Sequence, residues 1–192
     1  MRTAIERFIE YLRVERNASP LTLKSYEEDL IALVLYLEEV EDREVKIIEV
    51  NTLDLRQFIA RLQEEGYAKS TISRKLACLR SFFRFAVREG WIEANIAKPL
   101  RNPRAGRKLP HFLSAEEVAK ILESPSATTA SGLRDRAILE TMYSSGLRVS
   151  ELVALGLEDI DFSAGLIRVQ GKGRKERLTP LGSYAQRALK HW

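Results

Sequence analysis

The sequence predicts a two-part molecule: a mainly helical first part, then an α+β part holding a small three-stranded antiparallel sheet. Three observations carry this. Before residue 100, apolar residues recur every three or four positions. Beyond residue 160 the period becomes two. Between the two parts, residues 98–110 read Lys-Pro-Leu-Arg-Asn-Pro-Arg-Ala-Gly-Arg-Lys-Leu-Pro, with three prolines, one glycine, five basic residues and no apolar period. That composition marks a linker. The boundaries follow: a helical domain over 1–98, a basic linker over 99–111 and a second domain over 112–192. With 192 residues, 45% of them hydrophobic, the chain has material for a core in each part.

The elements read in order. Ile5, Phe8, Ile9 and Leu12 fall on one helical face. Ser19-Pro20 is an N-cap followed by a first-turn proline, opening a second helix to about Val40 with Leu23, Tyr26, Leu30, Leu33 and Leu37 inward. Asn51 or Thr52 caps a third helix ending near Gly66. Ser70 opens a fourth, with Ile72, Leu76, Leu79, Phe83 and Val87 buried. Lys46 to Glu49 is the one strand-like stretch before residue 100. After the linker, Ser114-Ala-Glu-Glu117 is a capping-box pattern ahead of Val118, Ile121 and Leu122. Leu133 to Tyr143 is helical, with Tyr143 expected in the core and Gly146 placed as the stop. A short helix over Val149 to Leu155 closes at Gly156. Strands follow around Ile160 and Phe162, Leu166 to Val169, and Arg177 to Thr179, and a last helix starts at Ser183.

Composition excludes several classes. No apolar run approaches the ~20 residues that cross a bilayer, and the first residues are charged and amphipathic, unlike a signal peptide. Cys78 stands alone, so neither an internal disulfide nor a CxxC metal site is available. A cytoplasmic protein is the expectation.

The net charge of +4 is unevenly spread. Residues 1–65 carry −6, residues 66–111 carry +9 and residues 112–192 carry +1. A local excess of that size asks for an anionic partner, nucleic acid first. On the fourth helix Arg80, Arg84 and Arg88 lie at i, i+4 and i+8, with Lys69, Ser73, Arg74 and Lys75 near its start. Ser70 to Arg88 contains no acid. Such a face can follow a duplex backbone, and Arg104, Arg107 and Lys108 of the linker fit an arm on the same duplex. An ordinary solvated face is the alternative.

Two clusters in the second domain can carry chemistry. Gly171-Lys172-Gly-Arg174-Lys175-Glu-Arg177 sits between two strands. It is not a P-loop, because it leads into a strand and lacks the Gly-Lys-Ser/Thr ending. A hairpin with lysine at its tip can push an ammonium toward a phosphate; a basic turn can also be merely solvated. Arg148 opens a short helix, where a cation opposes the helix dipole. Pairing with Glu151 three residues on is the structural explanation, and a guanidinium aimed at a phosphate is the functional one.

With these residues assembled, the whole chain resembles a tyrosine recombinase of the Xer type, in the phage integrase family. Ser145-Gly-Leu-Arg-Val-Ser-Glu-Leu152 is similar to the family's first catalytic-arginine motif. Gly171-Lys-Gly-Arg-Lys-Glu-Arg-Leu-Thr-Pro-Leu-Gly182 is similar to its β-hairpin lysine motif. Thr71-Ile-Ser-Arg-Lys-Leu to Phe85 resembles the DNA-contacting helix of its core-binding domain.

The resemblance implies a four-helix SAM-like core-binding domain and part of the catalytic domain, clamped about double-stranded DNA. It implies site-specific recombination through a 3′-phosphotyrosyl intermediate, as in chromosome dimer resolution, by protomers assembled as a homo- or hetero-tetramer, without ATP, metal or other cofactor. Arg148 becomes a catalytic arginine and Lys172 the general acid, with Arg174 and Lys175 beside it on DNA and Glu151 in structural support. The family's His-x-x-Arg motif and nucleophilic tyrosine are not found in this sequence. Tyr184 follows Lys172 too closely to be that nucleophile, and His111 and His191 read as surface residues. The chain is therefore expected to bind DNA without cleaving it and to leave apolar surface open around Leu139 and Leu152. A naturally shortened regulator of recombination sites is a second reading, and a basic helical protein for RNA or membrane surfaces a third.

Overall fold

The computed structural model describes residues 1–103, 112–171 and 176–192. The chain divides into two compact units, Met1–Lys108 and Leu109–Trp192. Arg104, Arg107, Lys108, His111, Lys172, Arg174 and Lys175 lie outside the described residues.

The first unit holds α1 (Arg2–Val14), α2 (Pro20–Glu41), α3 (Thr52–Glu64) and α4 (Lys69–Arg88). Local signals start two of them. The Ser19 hydroxyl accepts the Thr22 N–H at 3.3 Å, and Pro20 needs no N–H partner in the first turn. Asn51 Oδ1 accepts the N–H groups of Leu53 and Asp54, and the Asp54 carboxylate accepts the Asn51 N–H at 2.8 Å, a reciprocal cap. The apolar faces meet in one core around Phe8, Leu30, Leu33, Leu55, Ile72, Leu76, Phe82 and Phe83. Phe8 is fully buried and its ring packs against Tyr11, Tyr26, Phe82 and Phe85.

Two expectations change here. Lys46 to Glu49 is not a strand: Ile47–Glu49 makes a single 3-10 turn, because the Glu49 carboxylate accepts the Lys46 N–H at 2.9 Å and closes the segment on itself. Leu100, inside the stretch that composition marks as linker, is buried in the helical core. It is drawn there by side chains from two helices. The Thr52 hydroxyl donates to the Ile96 carbonyl at 3.0 Å, and Arg80 donates to the Leu100 carbonyl at 2.5 Å.

The second unit holds α5 (Ala115–Glu123), α6 (Ala130–Ser145), α7 (Val149–Val153), β1 (Ile160–Asp161), β2 (Leu166–Gln170), β3 (Glu176–Pro180) and α8 (Ser183–His191). The strands pair antiparallel in the order β1-β2-β3, with Ile167 opposite both Ile160 and Thr179, and Val169 opposite Arg177. Leu147, Ile167, Val169, Leu181 and Ala185 form the core. The short helix α7 stops at Val153, before the expected Leu155. Gly156 then opens a 3-10 turn over Leu157–Asp159, its N–H held by the Asp159 carboxylate at 3.1 Å.

Tyr143 is not in the core; it is 66% exposed. The helix α6 buries Gly132, Ala137, Glu140, Thr141 and Ser145, a face of small residues and one carboxylate. Two residues beyond Thr141 is about 200° round the helix, which turns the Tyr143 ring outward. Open apolar surface is present at Val149, Val153, Leu157 and Leu178, whereas Leu139 and Leu152 themselves are half-buried.

Candidate functional site

The two sequence motifs of the second unit are stitched together by three sets of hydrogen bonds. The Ser144 hydroxyl accepts the Gly182 N–H at 2.6 Å. The Thr179 hydroxyl donates to the Ser145 carbonyl at 2.7 Å. Arg177 donates through both terminal nitrogens to the two carboxylate oxygens of Glu151, each at 2.8 Å. A Cβ at position 182 would lie 2.9 Å from the Ser144 hydroxyl oxygen, so glycine permits this approach. After Ser145 the chain must reverse sharply, and Gly146 does so at φ +62°, in the left-handed region that costs other residues energy. Leu147 then anchors in the core and Arg148 emerges at the start of α7.

Arg148 and Glu151 behave in opposite ways. The Arg148 side chain is 72% exposed, the Glu151 side chain only 7%. Glu151 accepts the Arg148 backbone N–H and one guanidinium N–H, both at 2.8 Å. The Arg177 hydrogen bonds above all, and then the Arg148 backbone N–H, hold the Glu151 carboxyl well below the usual carboxylate range. Its negative charge also offsets the cation at the α7 N-terminus. One carboxylate faces two guanidinium groups, so the cluster keeps a net positive charge. The Nε and Nη2 donors of Arg148 have no partner among the described residues. This arrangement can receive an oxyanion on the exposed side of Arg148. Lys172, Arg174 and Lys175 lie outside the described residues, four and fewer positions before β3.

The basic face of α4 is less uniform than its sequence. Arg88 forms a two-pronged pair with Glu15, the C-cap of α1, at 2.9 and 3.0 Å and stacks over the Tyr11 ring. Arg80 is occupied by Leu100 and Asn102. Lys75 is buried, its ammonium 2.8 Å from Asp29 Oδ1. Arg74 pairs with the same carboxylate yet stays 44% exposed. Ser73 is half-buried, while Lys69 and Arg84 are exposed. Arg84 has no hydrogen-bond or ion-pair partner among the described residues. Counting acids within α4 alone reads the face as uncompensated; the compensating acids sit at the C-terminal end of α1 and on α2.

Asp29 escaped the sequence reading as part of these clusters, and Ser144 and Ser145, which adjoin and open the Arg148 motif, were given no role in it. Asp29 carried a signal, since it falls on the buried register of α2 beside Leu30 and Leu33. Cys78 is buried, which pushes its thiol up and removes it from chemistry. Among the described residues no group of three or more His, Cys, Asp or Glu is placed to hold a metal, and no helix is long and apolar enough to cross a membrane. Tyr184 is exposed with the Arg187 guanidinium stacked over its ring at 4.6 Å.

Comparison with known proteins agrees with this architecture. The family model described as "Phage integrase, N-terminal SAM-like domain" matches residues 5–90, and that described as "Phage integrase family" matches residues 111–192. The chain belongs to the phage integrase family of tyrosine recombinases. Within it, the chain is 44% identical over 188 residues to the tyrosine recombinase XerC of Pelotomaculum thermopropionicum, covering 96% of this chain and 61% of that protein. It is 42% identical over 198 residues to the XerC of Xanthomonas axonopodis pv. citri, covering 99% and 65%. The chain thus spans about three fifths of the length of these relatives. Among solved structures, the fold matches a lambda integrase tetramer bound to a Holliday junction (TM-score 0.74, 21% identity, 98% of this chain and 55% of that one). It also matches XerH site-specific recombinase bound to a palindromic substrate (TM-score 0.69, 22% identity, 98% and 56%).

Proposed function

We propose that this chain supplies the DNA-binding unit and part of the phosphate-transfer site of a Xer-type tyrosine recombinase, acting in site-specific DNA recombination. The observation that carries this is the joining of the Arg148 motif to the β3 motif through Ser144, Ser145 and Glu151, with Arg148 left exposed and positively charged. Phosphoryl transfer needs fixed positive donors where charge develops, and an arginine held on one side by a carboxylate is such a donor. In this reading Arg148 binds a non-bridging oxygen of the scissile phosphate. Lys172 donates a proton to the 5′-oxygen as it leaves. The phosphodiester energy is kept in a phosphotyrosyl link, so the reaction needs neither ATP nor metal.

Duplex contacts on this reading come from Lys69, Ser73, Arg74 and Arg84, with Arg104, Arg107, Lys108, Arg174 and Lys175 extending them. Lys75 supports that surface from within, while Arg80 and the exposed Arg88 flank it with their guanidinium groups engaged by neighbouring residues. The working assembly is a tetramer of like or mixed protomers on one recombination site, serving chromosome partition at cell division in the cytoplasm. The helical domain over 1–98 and the catalytic segment over 112–192, joined by the 99–111 linker, fit this division of labour.

Arg148→Ala, placed in a cleavage-competent protein that carries this segment, tests the assignment. Cleavage should fall by about 10²–10³, the cost of losing one such donor, while site binding stays close to that of the parent. Normal cleavage by that variant contradicts the role given to Arg148.

A further inference from the structure

Asp29 on α2 is 2% exposed, and a carboxylate at that depth is costly unless it is paired. Two cations of α4 pair with it. Lys75 Nζ lies 2.8 Å from Oδ1, and Arg74 meets both oxygens, Nη2 donating to Oδ1 at 3.0 Å and Nη1 to Oδ2. Replacing such a buried group by apolar side chains of similar volume is often neutral or stabilising, so stability alone does not explain it.

The geometry of Arg74 supplies another reason. Nη1 and Nη2 together form the end of the guanidinium fork, and Asp29 occupies that end. The second Nη1 hydrogen goes to the Ser25 hydroxyl. What remains is the side of the fork, the Nε–H and the second Nη2 hydrogen, with no partner among the described residues. The side chain is 44% exposed. Two parallel N–H groups on one edge match two oxygens of a phosphate. Lys75 meanwhile cancels the Asp29 charge, so the carboxylate does not repel an approaching anion.

We propose that Asp29 is a positioning residue that locks Arg74 with its Nε/Nη2 edge outward, to grip two non-bridging oxygens of a DNA backbone phosphate. The inference rests on the duplex-binding reading above. A contact of this kind fixes register and carries no base identity.

Fluorescence anisotropy of the 192-residue chain with a labelled random-sequence duplex, over a salt series, tests it, with circular dichroism melts confirming the fold. Asp29→Asn removes a negative charge, and through-space electrostatics alone would tighten binding. Positioning requires the opposite, a loss of about tenfold, the scale of one charge-assisted hydrogen bond. Arg74→Lys keeps the charge and loses the fork, so it should weaken binding about as much with little change in salt slope. Arg74→Ala should also lower that slope by about one, and Asp29→Asn added to it should cause no further loss.

A folded Asp29→Asn variant that binds as tightly as the parent or tighter overturns the proposal. If that variant does not fold, Arg74→Lys decides: parental affinity overturns the proposal and a tenfold loss supports it. A folded parent chain that binds no duplex at low salt overturns the duplex-binding reading, and the proposal with it. Tight parental binding with unaffected variants overturns the proposal alone.

Discussion

Arg177 reaches across 26 positions of sequence to close both of its terminal nitrogens on the Glu151 carboxylate. This pair ties the hairpin strand β3 to the helix that begins with Arg148. It makes Glu151 the shared base of two guanidinium groups, one half-buried and one exposed.

The pair has a pH signature. The folded-state pKa of Glu151 is depressed below its unfolded value, so its contribution to stability is present above the unfolded value of about 4.3 and is lost as pH falls through that value toward the folded one. Thermal melts of the chain should give a midpoint unaffected by this group between pH 7 and about 5 and falling below about 5. In Arg177→Met the same melts should start from a lower midpoint and lose part of that acid dependence. An unchanged midpoint and an unchanged acid limb in the variant would show that the pair contributes nothing.

Gly146 tests the turn that delivers Arg148. A Cβ there would meet no atom within 4 Å, so Gly146→Ala introduces backbone strain without a clash. The left-handed conformation costs an alanine about 1–2 kcal/mol, which chemical denaturation should report as a lower midpoint with an unchanged slope. A variant as stable as the parent contradicts the φ assigned to this residue.

The first unit depends on its aromatic centre. Phe8 is fully buried among four other rings. Phe8→Ala should cost about 3–5 kcal/mol, the usual price of truncating a buried phenylalanine, measured by urea denaturation followed by far-ultraviolet circular dichroism. A loss below about 1 kcal/mol would mean that Phe8 is not in a close-packed core.

Arg84 and Arg88 separate free from occupied cations on α4. Arg84→Ala should weaken duplex binding about threefold to tenfold and reduce the salt slope by about one. Arg88→Ala should change both less, because its guanidinium is already engaged by Glu15 and Tyr11. Equal losses at the two positions in anisotropy titrations would contradict this ordering.

Most of the helices and strands were legible because their signals are local. Ser19-Pro20, Asn51 with Asp54, and Ser114 with Glu117 are caps whose bonds form within four residues. The sheet follows from a change of apolar period. What sequence could not show is pairing at long range. Glu15 beside Arg88 and Asp29 beside Arg74 are separated by 73 and 45 positions, so a count of charges along α4 alone reads the helix as bare. Tyr143 was misplaced for a related reason. An aromatic on an apolar helix suggests core, but the buried face of α6 consists of small residues and Glu140. In the second unit the Arg148 and Glu151 motif was visible as a string, whereas its attachment to β3 through Ser144, Ser145 and Arg177 depends on the hairpin folding back against α6.

The most direct measurement is a native gel of the 192-residue chain on a duplex carrying two inverted Xer-type half-sites, beside a scrambled duplex of equal length and an RNA competitor, across a salt series. A shift that favours the half-site duplex, resists RNA, and fades by orders of magnitude as salt rises from about 50 to 200 mM is expected when several phosphates are held by arginine and lysine. A folded chain that gives no shift at low salt, or one that RNA displaces as readily as duplex DNA, would contradict the assignment of this chain to DNA recombination.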